Sequence, residues 1–261
     1  MELEKVKLNV ENNIAVLTLS DPDVLNAVSV QMIDELNAAI DAIADNGEAR
    51  VLVLTGEGRG FCAGANLADR ASGATHVTTK QMLEDYYHPF LLKLRGLDMP
   101  YLSAVNGVAA GIGMSIAVTA DIVTADRSAY FLQAFARIGL VPDGGSTYLL
   151  PRLIGWRRAF ELSMLAEKLP AEKALEWGLI NTVTDDGKAF EETMKLAERL
   201  AKGPTKAYAM ARELFWQTWE SSYEEQLQAE CDRQVKAGET EDSREGVLAF
   251  LEKRPANFKG K

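Results

Sequence analysis

Three stretches of this chain have the residue types and spacing to do chemistry. They are Gly58-Arg59-Gly60-Phe61-Cys62-Ala63-Gly64-Ala65-Asn66-Leu67, Val105-Asn106-Gly107-Val108-Ala109-Ala110-Gly111-Ile112-Gly113-Met114-Ser115 and Pro142-Asp143-Gly144-Gly145. The first two each follow an apolar, strand-like run, and their small residues let bare backbone N–H groups come close to a ligand. Two such loops together can hold one negatively charged oxygen. Acyl-thioester chemistry that passes through an enolate or a tetrahedral oxyanion needs this, each main-chain donor contributing about 3 kcal/mol to the transition state. Either loop alone has an ordinary alternative, a strand-to-helix turn of any α/β domain. Asp143 has one too, since Asp favours turns by accepting local backbone hydrogen bonds.

The elements that must position these residues follow from periodicity. Val6 to Val10 and Ile14 to Leu19 alternate apolar and polar residues around Glu11-Asn12-Asn13, which predicts a hairpin with one wet face. Helical spacing runs from Ser29 to Ala44 (Met32, Leu36, Ala39, Ile40, Ile43), with Ser29 as N-cap and Gly47 past the end. Val51 to Leu54 reads as a buried strand. A helix from about Lys80 to Leu94, a strand at Tyr101 to Val105, a helix opening near Ile112 and a strand at Asp121 to Thr124 then repeat the order. Such repetition predicts an α/β core of stacked ββα turns. From about Lys188 onward the pattern is almost wholly helical, with Pro204 starting one helix and Ser221 or Ser222 another.

Bulk properties narrow the function. With 261 residues, 47% of them hydrophobic, the chain can bury a sizeable core. A formal charge of −10 argues against nucleic acid as a partner. No apolar run approaches the roughly 20 residues needed to span a bilayer, and Met1-Glu2-Leu3-Glu4-Lys5 lacks the basic-then-apolar order of a signal peptide. A cytoplasmic protein without membrane contact is expected. Cys62 and Cys231 lie far apart without metal-ligand spacing, so reduced thiols and no metal site are expected, the reactivity of Cys62 being left open by its place in the first loop.

The paired loops resemble the oxyanion-hole signature of the crotonase superfamily, the enoyl-CoA hydratases and isomerases. The resemblance extends through Asp21-Pro22 to Asn26-Ala27, Ile138-Gly139-Leu140-Val141-Pro142-Asp143-Gly144-Gly145 and Glu172 to Trp177-Gly178-Leu179-Ile180, and so covers essentially the whole chain. It implies a crotonase-like spiral of ββα units over residues 1–195 that binds the CoA ester, and a C-terminal helical segment, residues 196–261, used for assembly into a homotrimer or a dimer of trimers. Matched residue by residue, the two oxyanion donors are the amides of Ala65 and Ile112. Ile112 stands where Gly is common in the family; its amide is unaffected, but its side chain should narrow the pocket. The resemblance also places Leu25, Ala27, Ala63, Asn66, Leu67, Gly111 and Phe135 along the CoA ester. Arg59 and Arg70 are candidate phosphate contacts or, as exposed arginines more often are, solvated surface residues, and the stretch from Asp69 to Thr79 reads as a mobile cover.

Hydratases of the superfamily use two glutamates, whose slots here hold Ser115 and Phe135. Neither can act as a carboxylate, which argues against efficient hydration. Asp143 occupies the slot of the catalytic Asp of certain isomerases, and the loops and tail are most similar to the epoxyphenylacetyl-CoA isomerases. The implied activity is a shift of a double bond, or a ring rearrangement, in an acyl-CoA thioester. Asp143 would be the one base, and CoA the only cofactor-like group, carried by the substrate. Apolar neighbours such as Phe135 and Ile112 should make it a stronger base than a solvated carboxylate. Three alternatives stay open: a hydratase; a dehalogenase-like enzyme, whose family members keep a His at the place of His88 but a Trp at that of Phe135; and a non-catalytic CoA-ester binder. His76, in a Ser/Gly/Thr-rich stretch, reads as a loop residue.

Overall fold

The computed structural model describes residues 3–68 and 76–261. Chain entry is set by the hairpin of β1 (Val6–Glu11) and β2 (Ile14–Leu19), paired from Val6↔Leu19 to Glu11↔Ile14. Asn12 and Asn13 form its turn at φ 53° and 62°, a left-handed pair that suits the strand twist and that Asn tolerates. α1 (Val30–Asn46) follows, begun by Ser29, whose Oγ accepts the Met32 N–H at 3.1 Å, and ended by Gly47. On its inner face the buried Glu35 accepts the N–H groups of Glu4, Lys5 and Val6 at 3.0, 2.7 and 3.0 Å through one carboxylate oxygen, which ties the first strand to the helix.

Three ββα turns then wind the spiral. β3 (Val51–Gly56), β5 (Tyr101–Val105) and β7 (Ile122–Asp126) run parallel in one sheet. Each is succeeded by a three-residue strand of a second sheet: β4 (Gly60–Cys62), β6 (Val108–Ala110) and β8 (Tyr130–Leu132). The large sheet is ordered β1-β2-β3-β5-β7-β10 and the small one β4-β6-β8-β9, with β9 at Leu169–Pro170 and β10 at Thr182–Thr184. The helices of the three turns are α2 (His88–Arg95), α3 (Ile112–Val118) and, after a 3-10 turn at Ala134–Ile138, α4 (Ser146–Ile154). β3 is buried on both faces, as a parallel strand between helical layers must be. Leu52 and Leu54 face the α1 core, whereas Val51 and Val53 face Ala197 and Ala201.

Local differences from the sequence reading have physical causes. The strand expected at Asp121 to Thr124 is observed as β7, with Asp121 just before it: its N–H donates to the Tyr101 carbonyl and its carboxylate accepts the Tyr101 N–H, each at 2.8 Å, and pairs with Arg212. The helix expected from Lys80 to Leu94 is split. Its start at Thr79–Gln81 is capped by Thr78, residues Met82–Tyr87 are π-helical, and α2 resumes just before Pro89, which has no N–H to donate. The small sheet was hidden in segments read as loops, three residues being too short for a period to register.

The remaining helices are α5 (Trp156–Leu165), α6 (Ala171–Trp177), α7 (Ala189–Ala201), α8 (Thr205–Gln217), α9 (Tyr223–Gly238) and α10 (Glu241–Glu252). α7 lies on the large sheet, so the expected boundary at 195/196 falls inside a helix of the core. Of the two serines proposed as a helix start, Ser222 is the cap of α9, in a reciprocal box with Glu225. No described helix is long and apolar enough to cross a membrane.

Cys62 is wholly buried in β4, and burial pushes its thiol up to about 12; the notion of a reactive thiol in the first loop is thereby corrected. In native protein a thiol reagent is expected to modify exposed Cys231 and to reach Cys62 only on unfolding; labelling followed by peptide mass mapping checks this. Replacing Glu35 by Gln keeps one oxygen for the three N–H groups but removes the charge that strengthens those bonds and turns an NH2 toward Gln31 Nε2, which should cost roughly 2 kcal/mol in denaturant unfolding.

Candidate active site

Main-chain pairing decides which amides of the first loop are left over. Ala63 N–H donates to Leu25 O at 2.9 Å, Val28 N–H to Gly64 O at 2.7 Å and Asn66 N–H to Val28 O at 2.9 Å. Val28 thus bridges Ala65 in parallel fashion, using the residues on either side of it. In such a bridge the central residue points its own N–H and C=O the other way. Among the described residues the Ala65 N–H has no acceptor, and Ala65 lines a cavity.

The second loop reaches the same cavity. Gly111 donates to Leu132 O at 2.9 Å, which anchors the turn to β8, and Ile112 opens α3 immediately after. A first-turn helical N–H has no partner within its own helix, and the Ile112 amide has none among the described residues. The two loops abut. A methyl group on Gly64, at φ 103°, would lie 3.0 Å from the Ala110 carbonyl oxygen and 3.8 Å from Gly111 Cα, so only glycine permits this approach.

Asp143 lines the cavity between the 3-10 turn and α4, half-buried, with Oδ1 sealed from solvent. Its carbonyl accepts the Ser146 N–H at 3.1 Å and Ser146 Oγ at 2.8 Å, with Ser115 Oγ 3.2 Å away. Gly144 follows at φ 62°, and any side chain there would collide with Ile112 and Ser115. The turn carrying the carboxylate is therefore pressed directly onto the helix carrying the Ile112 amide.

Ala63, Asn66, Leu67, Gly111 and Phe135 also line this cavity, Phe135 with its ring beside Gly111. Leu25 and Ala27 do not. Leu25 lies behind it, its carbonyl accepting the Ala63 N–H. Arg59 is exposed away from the cavity, as is His76. Arg70 and residues 69–75 of the expected mobile cover lie outside the described residues. His88 is exposed and does not line the cavity, so the described residues give no geometric support to a water-activating His. Its neighbour Tyr87, buried at the end of the π-helical turn, faces the cavity instead, with Met82 and Leu83. The sequence reading missed Tyr87. The spacing of Leu83 and Tyr87 was its only mark, and that spacing serves a core face equally well.

The profile of the family described as Enoyl-CoA hydratase/isomerase matches residues 9–261. A protein of Rhodobacter capsulatus named "Probable enoyl-CoA hydratase" is 41% identical over 261 residues, covering 100% of both chains. The 1,2-epoxyphenylacetyl-CoA isomerase of Escherichia coli is 40% identical, covering 99% of this chain and 100% of that one. The crystal structure of an enoyl-CoA hydratase from Polaromonas sp. JS666 superimposes with a TM-score of 0.91 at 32% identity, covering 97% of this chain and 99% of the other. With the two loops, the ββα spiral and these relatives in agreement over its length, the chain belongs to the enoyl-CoA hydratase/isomerase family, with the crotonase fold.

Proposed function

We propose that this protein isomerises an acyl-CoA thioester, shifting a double bond or rearranging a ring, with Asp143 as its single proton shuttle and the amides of Ala65 and Ile112 as its oxyanion hole. One observation carries the reading: among the described residues lining the cavity, Asp143 is the only charged side chain. For a 3-enoyl ester, the carboxylate takes a proton from C2. The C2–H electrons move toward the thioester oxygen, and the resulting dienolate is held by the two amides. The same carboxylate then returns the proton to C4, the double bond settles between C2 and C3, and the carbonyl is restored. Protons and electrons balance without a metal or redox cofactor.

Hydration would ask for more: one group to activate water and a proton source for carbon. With Ser115 and Phe135 in the two glutamate slots, a second carboxylate is lacking among the described cavity residues. The hydratase name of one relative keeps hydration as the reading to test against. The segment from Leu25 to Ala27 and the backbone at Ala63 and Asn66 are assigned to the CoA moiety. Assembly as a homotrimer or dimer of trimers is proposed to cover exposed apolar side chains on the outer helices, among them Trp156, Phe160, Phe215 and Phe250. CoA esters and unpaired cysteines suit a cytoplasmic setting.

A 3-enoyl-CoA incubated with the protein in deuterated water and followed by mass spectrometry separates the outcomes. A 2-enoyl product is expected; a 3-hydroxy product would mean hydratase, and no conversion a binding protein. Asp143→Asn should lower kcat by about a hundredfold to ten-thousandfold with CoA-ester binding retained, and a near-normal rate would remove the proposal. Ile112→Pro deletes one amide donor at a helix position that accepts proline. It should lower kcat by about a hundredfold to a thousandfold where Ile112→Val does not.

A further inference from the structure

Behind Asp143, three buried polar side chains that do not line the cavity, from three different segments, meet around Ser146 Oγ, which bonds the Asp143 carbonyl. Ser115 comes from the middle of α3, Ser146 from the first residue of α4, and Gln133 from the residue after β8. Their relative exposures are 0%, 1% and 0%, so none can satisfy itself with bulk water. Ser115 Oγ lies 2.7 Å from Ser146 Oγ, Ser146 Oγ lies 2.8 Å from the Asp143 carbonyl oxygen, and Gln133 Nε2 lies 3.2 Å from Ser146 Oγ.

Each hydroxyl has one proton to give, which orders the network. On the shortest contacts Ser146 donates to the Asp143 carbonyl and accepts from Ser115 and from Gln133, while Ser115 Oγ lies 3.2 Å from the same carbonyl with no second proton to give it. A serine in mid-helix commonly bonds the carbonyl four residues back. For Ser115 that partner is Gly111 O at 3.3 Å, longer than its contact with Ser146. The shorter contact points across to another element, and a buried hydroxyl in a helix is costlier than alanine unless such a bond rewards it.

We infer that Ser115 is a positioning residue for catalysis. Through Ser146 it latches the Asp143 turn to the helix that carries the Ile112 amide, so that the base and the anion-holding donor keep a fixed separation. Gly144 closes the same joint sterically, its Cα lying against Ile112 and Ser115 with no room for a side chain. This inference rests on Asp143 being the base. A loosened latch leaves the cavity lining and the ester contacts in place but lets the carboxylate wander between C2 and C4, and a misplacement of about 1 Å can cost a hundredfold in rate.

The test uses the full-length protein and a 3-enoyl-CoA carrying deuterium at C2, in ordinary water. Each turnover of the wild type is expected to return part of the abstracted deuteron to C4. For Ser115→Ala, kcat should fall about tenfold to a hundredfold with KM within about twofold of wild type. Deuterium retained at C4 should drop by about half or more, since a carboxylate that waits longer to deliver exchanges with water. Retention is a ratio within each turnover, so it is independent of the fraction of protein that is folded. Unchanged kcat and retention, or a lower kcat with unchanged retention, overturns the latch. Loss of isomerisation in the wild type, or a near-normal rate for Asp143→Asn, would instead overturn the shuttle and the latch with it.

Discussion

Two peptide amides must stay unpaired inside a backbone that otherwise pairs nearly everything, and the rest of this molecule is arranged around that requirement. A buried N–H without an acceptor is costly, so it persists only where neighbours over-determine the chain. At Ala65 the flanking groups of Gly64 and Asn66 are bonded to Val28, and Ala63 to Leu25, leaving the central amide no direction but the cavity. At Ile112 the start of a helix supplies the same condition, with the helix dipole favouring negative charge there. An acceptor seated in the cavity would relieve both at once.

The carboxylate is held by a different device. Asp143 sits on a turn whose carbonyl is bonded by Ser146, itself in contact with Ser115, so the backbone is anchored beside the cavity that Asp143 lines. Most of the surrounding wall is apolar, formed by Val28, Met82, Leu83, Phe135 and Leu140 among others, while Ser29, Asn66, Thr79 and Tyr87 add uncharged polar groups. The proposed isomerisation rests on two backbone amides and one carboxylate lining the same cavity, since adding water would need a second acid or base.

Further from the site, long-range polar anchors bind the helical C-terminal part to the core. Arg212 of α8, almost fully buried, pairs with Asp121 at 2.8 Å and donates to the carbonyls of Leu94 and Leu97, joining the end of α2 to the strand entry of β7. Burial pushes the Asp121 carboxyl up and the guanidinium beside it pulls the other way. Arg50 reaches the Phe258 carbonyl, and buried Asp242 accepts the N–H groups of Lys259 and Gly260 at 2.6 and 2.7 Å, so the tail folds back rather than trailing away. α9 has no buried residue of its own within one chain.

Much of the architecture was legible in the residues because it is written in local terms. The Asn12-Asn13 turn, the Ser29 cap, the Gly47 stop and the alternation of β1 each follow from one residue's own conformational preference or from a period of two or 3.6. The two loops and Asp143 were visible as unusual composition, and the family resemblance gave them roles. Three features were not legible: the three-residue strands of the small sheet, the π-helical turn that brings Tyr87 rather than His88 to the cavity, and the Ser115–Ser146 contact. Strands that short have no period to detect, and the π turn rotates a helix face without changing its composition. By itself, then, the sequence determined which segments can bend, cap, pair or expose an amide, since those depend on near neighbours. Only the tertiary structure decided which of them meet: a contact between residues 115 and 146, or 64 and 110, exists only once separate elements have closed on one another.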